Sequence, residues 1–147
     1  MAYKFYGWQN CSEVHPLDNK YSKIKNPLGL YDMLDNIWCE YSCAPRLRKD
    51  WSENNKTLGQ CSITAFLVQD IFGGKVYGIP LESGGVHCFN NVDGHIFDLA
   101  SEQFGDKVKD LDYVNVIEQT RDMHFQDKEK EARYLYLWAK LKELYLN

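Results

Sequence analysis

A chain of 147 residues, 44% hydrophobic and 26% charged, has the composition of an ordinary globular protein and suits a single domain over residues 1–147, which excludes global disorder. The net charge of −4 argues against nucleic acid as the main partner, because phosphate binding needs clustered cations. The longest apolar stretch, Tyr134 to Ala139, is too short to cross a bilayer, and no basic segment followed by an apolar run opens the chain; a cytoplasmic protein with no membrane partner and no signal peptide is expected.

Residues 1–27, with Gly7, Pro16 and Pro27 among many polar positions, read as irregular structure. A first helix is predicted from about Leu28 to Tyr41, where Leu30, Leu34, Ile37 and Trp38 recur at helical spacing, with Pro45 ending it. Residues 46–58 read as a polar loop. From Gln60 to Phe72 only a narrow polar stripe remains, which predicts a mostly buried helix, stopped by Gly73-Gly74. A strand is expected over Lys75–Ile79. Two more apolar-polar runs, Val86–Val92 and His95–Leu99, flank Asp93-Gly94, a strong signal for a hairpin. The stretch from about Lys128 to Leu146 is amphipathic and reads as a closing helix. The order of elements is that of an α+β domain.

Five cysteines, at positions 11, 39, 43, 61 and 88, are an odd number in a chain large enough to fold without staples, so reduced thiols are expected. Cys61 sits at the start of the buried helix, where unpaired backbone N–H groups and the helix dipole favour a thiolate. A small residue packed at a helix start would explain Cys61 alone. The hairpin adds to it. A two-residue Asp93-Gly94 turn sets Val92 opposite His95, and positions 87, 89, 91 and 96, 98, 100 then share one face. His87 and Asp98 become diagonal neighbours within reach of one hydrogen bond. Either alone reads as a satisfied core histidine or a turn residue. Together with Cys61 they point to a Cys–His–Asp triad: thiol nucleophile, imidazole base and orienting carboxylate.

These residues also resemble known families. Gly59-Gln60-Cys61 resembles the G-Q-C of transglutaminase-like enzymes, His87-Cys88-Phe89-Asn90 their H-x-W-N, and Asp98 to Gln103 their D-x-T-x-x-Q. The chain is more similar still to the YunG-like family of bacterial proteins, through Asn54 to Gly74, His87 to Phe104 and Arg133-Tyr134. The resemblance implies a papain-like (transglutaminase-like) core in which a buried helix carrying the cysteine packs on a small antiparallel sheet. It departs from transglutaminases at Ser62 and Phe89, where they carry tryptophan, and no calcium loop is evident.

The expectation is a cysteine hydrolase or acyltransferase acting on an amide or peptide-like bond through a thioester, with Cys61, His87 and Asp98 catalytic and no cofactor or metal. The backbone N–H of Cys61 is one oxyanion donor, and Asn55, Gln60 or the Trp51 indole are candidates for the second. The substrate would be a peptide or small amide; the oligomeric state is left open. Two other readings compete. Cys11-x-x-x-His15 and Cys39-x-x-x-Cys43 offer four zinc ligands for a metal-stabilised domain. A catalytically degenerate relative could instead bind a partner through Tyr3, Phe5, Tyr6 and Trp8. Arg46, Arg48 and Lys49 read as a solvated face, Cys88 as packed on the ribbon face away from His87, and neither His95 nor His124 is given a catalytic role.

Overall fold

In the computed structural model, which describes residues 3–147, helices and a four-stranded antiparallel sheet of order β3-β2-β1-β4 form an α+β fold. The sheet comprises β1 (Lys75–Pro80), β2 (Val86–Val92), β3 (His95–Phe97) and β4 (Ile117–Gln119). The helices are α1 (Pro27–Leu34), α2 (Cys61–Phe72), α3 (Arg121–Phe125) and α4 (Lys128–Leu141), with a short π-helical turn, Lys142–Leu146, continuing α4. None of the helices is long and apolar enough to cross a membrane.

The hairpin forms in the expected register, with Val92 paired to His95 and Asn90 to Phe97. Both turn residues have positive φ, 52° at Asp93 and 87° at Gly94, the type I′ geometry that matches the strand twist. The third strand is shorter than the run His95–Leu99 suggested. Asp98 leaves β2 and pairs instead with Tyr6 of the N-terminal segment, and its Oδ1 accepts the Ala100 N–H at 3.2 Å, a local turn that competes with the ladder.

The first helix is also shorter than its apolar spacing. Asn26 caps it through Gly29 N–H, but after Leu34 the chain tightens into turns, with Asn36 N–H on Met33 O and Ile37 N–H on Leu34 O. Asp35 and Asn36 compete with helical backbone bonding. Ile37 and Trp38 still reach the core, so the apolar pattern was right about burial and wrong about helix length.

The sheet separates two clusters. On one side α2, α1 and α4 bury Leu67, Ile71, Leu30, Leu34, Leu137 and Leu141, while Phe66 and Cys88 join α2 to β2. On the other, Phe89, Ile79 and Tyr113 form a smaller cluster. The Asn90 amide donates to Ala65 O at 2.9 Å and ties β2 to the body of α2. The N-terminal aromatics pack largely against the body of the fold, with Tyr6 the exposed one. Phe5 is buried, Tyr3 and Trp8 pack on the main core, and Tyr6 stacks on Tyr113 at 3.8 Å.

Candidate active site

The position of Cys61 follows from a glycine. Gly59 adopts φ 72°, and a Cβ there would stand 2.6 Å from Cys43 Sγ and 2.8 Å from Ala44 N. Only glycine permits both the left-handed backbone and the close approach. Ala44 N–H then bonds Gly59 O at 3.0 Å, and the Gln60 side chain, fully buried, donates to Cys39 O at 3.1 Å. The start of α2 is thereby pinned to residues 39–44. No side chain caps α2, so its first N–H groups stay open around the half-buried Cys61 thiol.

The chain brings the three expected residues together. His87 and Asp98 are both buried, and His87 Nε2–H donates to Asp98 Oδ2 at 2.6 Å. With Nε2 occupied, Nδ1 is the nitrogen left for Cys61, which lines the same cleft as His87. Burial disfavours charge on His87, yet the Asp98 and Cys61 charges outweigh it and raise the imidazole to about 10. A hydrogen bond from the Cys88 thiol, opposed by burial and reinforced by the charge on His87, holds Cys61 well below the ordinary thiol range. Both shifts favour the thiolate–imidazolium form of the pair.

Three supporting groups carried no clear sequence signal. Tyr113 donates its hydroxyl to Asp98 Oδ2 at 2.6 Å, from an irregular segment whose pattern gives no hint of it. Phe104 sets its ring edge-to-face on His87 with centroids 4.7 Å apart. Cys88 is buried, as expected of its face of the ribbon, but its thiol meets Cys61 rather than apolar neighbours alone, and its own acidity is suppressed by that contact, by burial and by the Cys61 charge.

Cys61 and His87 line a cleft of about 670 Å³, with Leu58, Leu81 and Phe104 on its apolar walls. His124, which sequence reasoning set aside, is buried in that wall, 4.0 Å from Cys88 Sγ. None of Asn55, Gln60 and Trp51 lines the cleft. Asn55 borders a separate pocket with Tyr31 and Glu102, and the Trp51 indole N–H is spent on Lys56 O at 3.0 Å.

The other thiols stand apart. Burial pushes Cys11 up to about 12 and also raises Cys43. Burial acts upward on Cys39 too, but hydrogen bonds from Ser42 and Tyr136 leave it below its ordinary value. Among the described residues no three of histidine, cysteine, aspartate and glutamate stand close enough to hold a metal ion; His15 is exposed while Cys11 is buried with its sulfur on Gly7 O.

A family profile described as YunG protein matches residues 26–145. The chain is 25% identical over 103 residues to the uncharacterized protein YunG of Bacillus subtilis (strain 168), an alignment covering 70% of this chain and 82% of the relative. No solved structure matches the chain significantly.

Proposed function

The chain belongs to the YunG family, and from that premise and the geometry of the cleft we propose that it is a cysteine hydrolase or acyltransferase with a papain-like core, acting on an amide or peptide-like bond. The observation that carries this reading is the buried 2.6 Å bond from His87 to Asp98, behind a thiol that opens α2 on a cleft. Helix, strand and strand end supply nucleophile, base and orienter in the order of the papain-like and transglutaminase-like enzymes the motifs resemble.

The Cys61 thiolate attacks the substrate carbonyl carbon, and the open N–H groups at the start of α2 face the developing oxyanion. As the tetrahedral adduct collapses, His87 Nδ1–H protonates the leaving amine and a thioester remains. The ring, now neutral, takes a proton from water or from an acceptor amine, whose attack releases the acyl group and regenerates the thiolate. Asp98, with Tyr113 on its Oδ2, fixes the tautomer and the plane of the ring. Asn55, Gln60 and Trp51 are not among the residues lining the cleft, so the backbone N–H of Cys61 is the donor this reading relies on.

Limiting iodoacetamide at pH ~6, followed by mass mapping, tests the assignment, since an ordinary thiol is mostly protonated there. Cys61 should be labelled first and Cys39, which is half-buried and acidified, second, well ahead of Cys11. His87→Ala should abolish the lead of Cys61, and Asp98→Ala should weaken it. A wild-type protein in which Cys61 reacts no faster than Cys11 or Cys39 would refute the nucleophile.

A further inference from the structure

The chain as a whole is acidic, with a net charge of −4, yet its cleft is not. Arg46, Lys130 and Arg133 line it against Asp127 as the one carboxylate. Two of these four charges are spent. Arg133 donates from Nε to Glu129 Oε1 at 2.8 Å and from Nη1 to Ser42 O at 3.0 Å. Asp127 caps α4, its Oδ1 accepting the N–H groups of Glu129 and Lys130 at 3.0 and 3.2 Å.

Lys130 is different. Its ammonium donates to His124 Nδ1 at 3.0 Å, and no carboxylate among the described residues lies within the 4.0 Å of an ion pair. The acceptor is fixed. His124 is buried and its Nε2–H donates to Gln119 Oε1 at 2.7 Å, which turns the Nδ1 lone pair towards Lys130. Burial and the Lys130 charge keep that ring neutral. An ammonium with three donors, one of them used, on a half-buried side chain is thus held on the cleft wall with no ion-pair partner among the described residues within 4.0 Å. Holding a cation partly out of water without an anion is unfavourable, and a ligand carboxylate would relieve it through a charge-assisted bond. The ordering cost of such a bond is low, because His124 has already placed the donor.

We infer that Lys130 is a specificity-determining residue, and that the cleft takes an amide substrate carrying a carboxylate near the bond to be cut, as in an N-acyl amino acid or an acidic peptide. This rests on Cys61 being the nucleophile proposed above. Pro45, Leu58, Leu81 and Phe104 on the same walls receive the apolar part of the substrate, and Arg46 stands exposed at the rim.

The test compares rates of Cys61 alkylation by bromoacetyl-glycine and bromoacetyl-γ-aminobutyrate with those of their uncharged methyl amides, by peptide mapping at low salt. The anionic probes should outpace their neutral twins, by about five- to tenfold for the better placed carboxylate, and the advantage should shrink as salt is added. The probe showing the larger ratio separates a carboxylate next to the amide from one on a longer acidic arm. Lys130→Met should bring the ratio near one, and Lys130→Arg should retain most of it; a ratio cancels any change in thiolate reactivity. Rapid labelling of Cys61 with the same ratio in wild type and Lys130→Met would overturn the assignment of Lys130 alone. If Cys61 in wild type reacts no faster than Cys11 with any probe, the nucleophile and the carboxylate inference fall together.

Discussion

Cys61 is acidified from two directions, by the Cys88 thiol and by the His87 imidazolium, against the cost of burial. The Cys88 thiol packs beside Cys61 where α2 meets β2, while burial works against charge on both members of the ion pair. Cys88 accordingly becomes a poor acid itself. It is buried at the α2–β2 junction, so replacing it with alanine removes the donor together with some packing. Cys88→Ala should therefore shift the pH midpoint of Cys61 alkylation upward, and Cys88→Ser, which keeps a donor, should shift it less. An unchanged midpoint in Cys88→Ala would return the acidity of Cys61 to His87 alone. Asp98 meets a different demand. It accepts from His87, Tyr113 and the Ala100 backbone, so its carboxylate is satisfied on both oxygens and has no reason to leave the ring.

Elements carry these residues with unequal tolerance, and the junction before α2 is the least forgiving. Gly59→Ala would place a methyl group 2.6 Å from Cys43 Sγ in a backbone with φ 72°. The left-handed conformation costs about 1–2 kcal/mol and the overpacking about 1–3 kcal/mol more, so a loss of about 2–5 kcal/mol is expected in the unfolding free energy from urea denaturation. A loss below about 0.5 kcal/mol would mean that residues 43–44 yield freely. Much of this architecture was legible in the sequence, and the reason is local. The Asp93-Gly94 turn fixes the register within one hairpin, so His87 and Asp98 could be paired by counting, and the apolar density of residues 61–72 announced a buried helix. The missing parts are those set by long-range contacts. The β4 strand is three residues long and mostly exposed, too short for a periodic signal. Tyr113 and Lys130 reach the site from segments 15 and more residues beyond Asp98, which no spacing rule connects to it. The early end of α1 was hidden because Ile37 and Trp38 stay buried in turns that mimic the helical recurrence.

For the molecule as a whole, the thiolate–imidazolium pair shapes how stability depends on pH. His87 is raised to about 10 in the fold against about 6.5 when unfolded. Alone it would stabilise fully below 6.5, and that contribution would drain away as pH rises towards 10. Cys61 is depressed far below its unfolded value of about 8.5; alone it would stabilise above 8.5 and lose that contribution as pH falls. Between about 6.5 and 8.5 the folded pair binds one proton, on the imidazole, and the unfolded pair also binds one, on the thiol. The two slopes cancel there, so the pair contributes a plateau. Below about 6.5 the unfolded chain binds one proton more, and above about 8.5 one fewer, giving slopes of about 1.4 kcal/mol per pH unit that fall away on either side. His124, held neutral by burial and Lys130, does not disturb the window. Cys61→Ala removes the thiol from both states and, with it, one of the two charges that raise His87, so the variant should lose stability from pH ~6.5 upward only until its less basic imidazole deprotonates, where the wild type is flat. Urea denaturation of both proteins under reducing conditions at half-unit steps from pH 6 to 9 measures this directly, and other titrating groups cancel in the difference. The wild-type advantage should grow by up to about 1.4 kcal/mol per unit above pH ~6.5 and level off where the variant's imidazole deprotonates. A difference that stays constant across the range would show that Cys61 carries no thiolate in the folded protein.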